Sequence, residues 1–384
     1  MSKKNIYFKN LDTIRFIAAM MVFIGHAMSS SFRHLDIKDT VFEKGLAVIS
    51  NGGMGVSIFF VLSGFLITYL IISEIEVNGR LNIKSFYMRR FLRIWPLYYT
   101  VVIFSFLVYP SLKIMLGINT PLGSNFIYHL FFLSNFDVIQ IAQNCNGLDA
   151  MSQNITWSVS VEEQFYLFWP LVFLFPKKIW VFIFSSLAFL SITFRVLSVD
   201  IDYVNYFHTF SVLIDLVIGG FFALGVKRSM SFRTLFEKAN TISHFILFSL
   251  AFCILYFGTS SLFKEYNASF SRVLSSLIFG LIITSQAFTK NKSILNLSNF
   301  KFGTKWGKLT YGIYLLHPIA ITIIDLSFRV IKIDYKTNFY SEFGVSILMF
   351  LLTLFLSKIS YNYLELRFLN LKSKYQIIKT GNND

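Results

Sequence analysis

The segment RFIAAMMVFIGH, residues 15–26, sets an arginine and a histidine in an otherwise apolar run. Eleven residues is about 20° past three helical turns, so Arg15 and His26 share one face, ~16 Å apart along the axis. Asp12, one turn before Arg15 on that face, is within reach of an ion pair. An imidazole can take and return a proton near neutral pH, which is the work of a general base. For Arg15 and Asp12 there is a plainer reading, a pair at the membrane interface with the arginine snorkelling. His26 lies too deep to snorkel, and serves either as a base or as a satisfied structural residue.

Three further segments carry candidate chemistry. WSVSVEEQFYLFWP, residues 157–170, holds Glu162 and Glu163 at an expected depth close to that of His26. A carboxylate there would fix the tautomer of His26 and stabilise its protonated form. Helix neighbours point about 100° apart, so one of the two glutamates is expected to reach it. The other reading puts both at the interface, among Trp157, Tyr166 and Trp169 in an aromatic belt. FYMRRFLRIWPLYY, residues 86–99, is expected to lie before a membrane span, with Pro96 starting the helix. Arg90 and Arg93 share a face there. They form either a guanidinium clamp for phosphate or a stop signal that attracts anionic lipid. In YGIYLLHPI, residues 311–319, His317 precedes Pro318 and either satisfies a kink or lines a polar cavity.

These residues must be held by membrane-spanning helices. Of 384 residues, 55% are hydrophobic and 14% charged, against about 25% charged in an ordinary soluble domain. Apolar stretches of span length recur over residues 11–29, 54–74, 95–115, 156–176, 179–197, 206–226, 240–258, 270–288, 309–328 and 342–363. The expected class is all-α, a polytopic membrane protein of about ten transmembrane helices. Arg15 interrupts the first run, which reads as a retained helix rather than a cleaved signal. Of the 35 Lys and Arg residues, 23 fall on one side of this arrangement and 10 on the other, with Arg15 and Lys358 inside spans. That excess places both termini in the cytoplasm and the loop 116–155 outside. The net charge of +15 is dispersed between apolar runs, which argues against a nucleic-acid partner. Cys145 and Cys253 have no metal or disulfide spacing. Asp215, Asp325, Lys358 and Glu365 add further polar groups in or beside spans, where a central charge costs at least ~2.5–3.5 kcal/mol. Gly52, Gly53, Gly55 and Ser63-Gly64 suit close helix contact. Gly52 and Gly53 alternatively turn the backbone into a cavity.

In order, LDTIRFIAAMMVFIGH, GVSIFFVLSGFLIT, FYMRRFLRIWPLYY, WSVSVEEQFYLFWPL, YGIYLLHPI and YNYLELRFL resemble the motifs of the integral-membrane acyltransferase-3 family. The resemblance runs over most of the chain. It implies a multi-pass protein of the cytoplasmic membrane that moves an acyl group, commonly acetyl, from cytoplasmic acyl-coenzyme A. The acceptor it implies is a sugar hydroxyl of a surface polysaccharide or its lipid-linked precursor, with other polysaccharide-assembly proteins as partners and no metal. The family residues associated with activity map onto Arg15, His26, Arg90 and Arg93. On this basis Arg90 and Arg93, with Arg15, are expected to hold the donor phosphates, and His26, oriented by Glu162 or Glu163, to be the base. Asp12, Tyr311, His317 and Glu365 are expected to line the cavity. Ser57 stands where many members carry an acidic residue. The short tail after the last span leaves no room for the hydrolase-like domain fused to some relatives, so one membrane domain over 1–384 is expected. A polytopic transporter or flippase is the alternative, although the hydropathy has no inverted repeat. A non-catalytic binder of lipid-linked sugar is a third reading.

Overall fold

The computed structural model describes residues 5–28, 41–117, 123–144, 151–258, 266–376 and 378. Among these the chain is helical, with no β-strand. Ten long helices follow the expected order: α1 (Lys9–Ala27), α2 (Gly52–Asn78), α3 (Ile83–Ile103), α4 (Thr156–Val172), α5 (Trp180–Leu197), α6 (Thr209–Arg228), α7 (Thr241–Gly258), α8 (Tyr266–Phe288), α9 (Thr310–Val330) and α10 (Phe339–Ser360). A π-helical turn, Tyr361–Glu365, joins α10 to a short α11 (Leu366–Lys372). Cys145, parts of the 116–155 loop and the terminal lysines Lys3, Lys4 and Lys379 lie outside the described residues. Cys253 is an exposed free thiol.

Among the described residues, seven helical segments are long and apolar enough to cross a membrane, or eight if Met230–Glu237 and Thr241–Tyr256, bent by 95°, form one broken span. The two other expected spans are helical but fall outside that set. α4 has 17 residues, and Lys9, Asp12 and Arg15 dilute the hydropathy of α1.

Local chemistry sets several helix ends. The side chains of Asn51, Asn82 and Asn338 accept hydrogen bonds from the N–H groups of Met54 (3.0 Å), Ser85 (2.9 Å) and Ser341 (3.1 Å), occupying donors that a helix start leaves free. Gly79, at φ +75°, stops α2 in the left-handed region. Gly52 and Gly53 begin α2 as regular helix and do not fold back. Pro96 does not start a helix. It lies inside α3, because α3 begins at the Asn82 cap and carries both arginines on continuous helix. The Thr100 hydroxyl bonds the Pro96 carbonyl at 2.8 Å.

α2 and α6 form the central pair. A methyl group on Gly64 would sit 1.9 Å from the Leu216 oxygen, and one on Gly219 would sit 2.0 Å from that of Val61. The two backbones therefore touch, which only glycine permits. α1 packs against α2, α9 and the short helix Lys301–Gly307, and α9 packs along α10.

Candidate functional site

α9 presents Tyr311, Tyr314 and His317 at three-residue intervals, about 9 Å of helix in all. Each meets a different helix. The Tyr311 hydroxyl donates to the Ile94 carbonyl of α3 at 2.7 Å. The Tyr314 and Ser158 hydroxyls share a 2.5 Å hydrogen bond to α4. His317 Nε2 lies 2.9 Å from His26 Nδ1 on α1. α9 thus runs from the arginine segment of α3 to the histidine in the last turn of α1.

One proton order satisfies both contacts of the histidine pair. His317 Nδ1 sits 3.3 Å from the Ile313 carbonyl, in the turn where Pro318 supplies no N–H. A carbonyl only accepts, so Nδ1 of His317 carries a proton and its Nε2 accepts. His26 Nδ1 is then the donor across the pair, which leaves His26 Nε2 with a free lone pair. His317 is buried, whereas His26 is exposed in the last turn of α1.

The expected contact between His26 and a glutamate is not formed. Glu162 accepts from the Ser63 hydroxyl of α2, and Glu163 Oε2 accepts from Trp95 Nε1 at 3.0 Å. Both glutamates lie in the field of Arg90, and Glu162 in that of Arg93. Opposite charge draws the carboxylates to the arginine end of the site and away from the imidazole. The interfacial belt is not formed either. Trp157, Tyr166 and Trp169 are buried, and Trp169 Nε1 donates to Thr68 at 2.8 Å.

At the other end of α1, Arg15 pairs with Asp12 at 2.7 Å, and the Tyr7 hydroxyl donates to the second Asp12 oxygen at 2.6 Å. Arg90 lies over the rings of Phe86 and Tyr166, 5.9 and 5.6 Å from the centroids. Its Nε is a buried donor without a partner. Among the described residues neither Arg90 nor Arg93 has a carboxylate within ion-pair distance. Glu365, buried at the π-helical turn, accepts from the Ser360 hydroxyl at 3.0 Å and lies in the field of Arg93. Of the remaining intramembrane charges, Asp215 is locked to Arg272 at 2.6 Å and to Ser276 at 2.6 Å. Lys358 is exposed on the outside of α10.

Sequence reasoning did not assign Ser63, Trp95, Ser158 or Tyr314 to the site. Tyr314 was legible from its three-residue spacing to Tyr311 and His317. Ser63 read only as a small packing residue, and nothing in the spacing marks Trp95 or Ser158.

The chain matches a family model described as an acyltransferase domain over residues 8–361. It is 29% identical to the peptidoglycan O-acetyltransferase OatA of Listeria monocytogenes, over 82% of this chain and 51% of that protein. It is 28% identical to the O-acetyltransferase OatA of Staphylococcus aureus, over 83% of this chain and 52% of that protein. A putative O-acetyltransferase of the same species, SAR0937, is 25% identical over 97% of this chain and 60% of its own length. The chain therefore spans between half and three-fifths of the length of these curated relatives. No solved structure matches.

Proposed function

Because the chain belongs to the acyltransferase family whose domain it matches over residues 8–361, we propose that it is a membrane O-acetyltransferase. It takes an acetyl group from acetyl-coenzyme A on the cytoplasmic side and delivers it to a sugar hydroxyl of a cell-envelope glycan. The observation that carries this reading is the arrangement along α9: arginines with no carboxylate in ion-pair contact among the described residues at one end, and a histidine with a free Nε2 at the other. The names of the relatives, which include a peptidoglycan O-acetyltransferase, support a glycan acceptor.

Arg90 and Arg93 hold the donor phosphates, since paired guanidiniums match phosphate oxygens in shape and charge. Arg15, tied to Asp12, borders the same end. The uncharged pantetheine arm runs beside α9, past Tyr311 and Tyr314, and brings the thioester to His26. His26 Nε2 removes the proton of the sugar hydroxyl as its oxygen attacks the thioester carbonyl. The carbon–sulfur bond breaks, and the proton passes from the imidazolium to the departing thiolate. His317 keeps the proton of His26 on Nδ1 throughout, so that Nε2 is always the working nitrogen. Glu162, Glu163 and Glu365 stand beside the arginines and position them rather than the base. The mechanism needs only the membrane domain, in the cytoplasmic membrane, with the acceptor arriving from outside.

Membranes containing the protein, incubated with radiolabelled acetyl-coenzyme A, should transfer label to glycan. His26→Ala should lower that transfer by about 10²- to 10⁴-fold while the protein remains inserted. Label transfer undiminished in His26→Ala would remove the base. Wild-type membranes that move glycan but transfer no label would favour transport.

A further inference from the structure

Lys372 ends α11 and is only 7% exposed. Lysines are almost never this buried unless paired. Lys372 has no ion pair or hydrogen bond among the described residues. The charges that act on it most strongly are the guanidinium groups of Arg93, Arg90, Arg89 and Arg15. Two of these four are already neutralised: Arg15 by Asp12 and Arg89 by Glu74, each at 2.7 Å. Arg90 and Arg93 have no carboxylate within ion-pair distance among the described residues, and Arg90 Nε is an orphaned buried donor. The carboxylates of Glu162, Glu163 and Glu365 act on these arginines through the field, but their hydrogen bonds go to Ser63, Trp95 and Ser360 rather than to a guanidinium. Three cations thus lie in one another's field with no carboxylate in ion-pair contact among the described residues, in a setting where like charges repel strongly.

The placement of α11 explains how they meet. The 22 residues of α10 give about 33 Å of helix, enough by themselves for a ~30 Å hydrocarbon core. α11 therefore continues beyond that core. It packs back on α3, and the Arg89 guanidinium ties it there by donating to the Tyr375 carbonyl at 2.9 Å.

We infer that Lys372 is a third phosphate-binding cation, closing over Arg90 and Arg93 a seat for the several phosphate groups of coenzyme A. This rests on the donor reading above and extends it to a residue from the opposite end of the chain. The two guanidiniums offer planar forks, and the ammonium adds a compact charge that suits a further phosphate. An anionic lipid headgroup shares the phosphate chemistry but brings one phosphodiester to three cations.

The test uses the full chain, purified into phosphatidylcholine nanodiscs, with coenzyme A as the probe. Lys372→Gln should weaken coenzyme A binding by about 10- to 100-fold, and Lys372→Arg should restore most of it. In the transfer assay, the KM for acetyl-coenzyme A should rise by more than kcat falls. Should Lys372→Gln fail to insert, Lys372→Met keeps the apolar stem and removes only the charge. Equal coenzyme A affinity with and without the charge overturns the inference. So does an effect seen only on enrichment of phosphatidylglycerol around the protein in mixed nanodiscs. Wild-type protein that binds no coenzyme A would instead strike at the donor reading itself, before any substitution is made.

Discussion

His26 gains its free nitrogen from a residue 291 positions away in the chain. That dependence gives an ordering of substitutions. His317→Ala removes the acceptor that holds the His26 proton on Nδ1, so both tautomers become available and Nε2 is the base only part of the time. We expect a kcat loss on the order of 10- to 100-fold, the usual range for losing an orienting partner, with little change in the KM for donor. Glu162→Gln should cost less in kcat than His317→Ala, because Glu162 bonds Ser63 and not the imidazole. Steady-state kinetics on the two variants decide the matter, and the reverse ordering would restore a carboxylate–imidazole arrangement. Much of this was legible in the sequence. The spacing of Asp12 to Arg15 and of Arg15 to His26 anticipates the ion pair and the shared face, since both depend on one helix alone. The partner of His26 was not legible, because spacing within α4 cannot tell which neighbouring helix captures Glu162. Capture depends on Ser63, Trp95 and the arginines, which reach that place through tertiary packing.

At the scale of the helices, the sequence located nearly every long element, since a run of apolar residues and a helix of that length are the same physical requirement in lipid. It misjudged where α3 begins. Proline is common at a helix start, but the Asn82 cap lies further upstream and overrides that preference. The π-helical turn at Tyr361–Glu365 left no trace in the apolar pattern, yet it turns Glu365 inward; such turns are frequent at functional sites. The α2–α6 contact was half legible. Gly64 stood out beside Ser63, whereas Gly219 was one of several glycines in a uniformly apolar helix. Because a methyl group at Gly219 would lie 2.0 Å from the Val61 oxygen, Gly219→Ala must push the two backbones apart. We expect a loss of about 1–3 kcal/mol, typical of overpacking, read as a lowered thermal midpoint in detergent. Gly45→Ala, inside the short helix Val41–Ile49 where an added methyl group meets nothing within 4 Å, should hold that midpoint or raise it slightly, since alanine is the better helix former.

For the molecule as a whole, the reaction requires a fixed orientation. In the proposed reaction the donor is cytoplasmic acyl-coenzyme A, so Arg90, Arg93 and Lys372 would have to face the cytoplasm, and His26, ~16 Å beyond Arg15 along α1, the acceptor. The bias of 23 basic residues to 10 argues for the same orientation by an independent route, the retention of positive charge on the cytoplasmic side. Two exposed lysines separate the possibilities. Lys292 follows α8 on the side assigned to the cytoplasm, and Lys336 lies between α9 and α10 on the side assigned to the exterior. In a background with both native cysteines, Cys145 and Cys253, replaced by serine, Lys336→Cys should react with a membrane-impermeant maleimide in intact cells. Lys292→Cys should react only after the membrane is opened. Lys336 lies just 3.9 Å from Asp325 at the edge of ion-pair distance, so its replacement should leave the fold in place, and label transfer by both variants can be checked in the same membranes. Labelling of Lys292→Cys from outside would put the arginine seat where no coenzyme A exists, and the proposed direction of transfer could not stand.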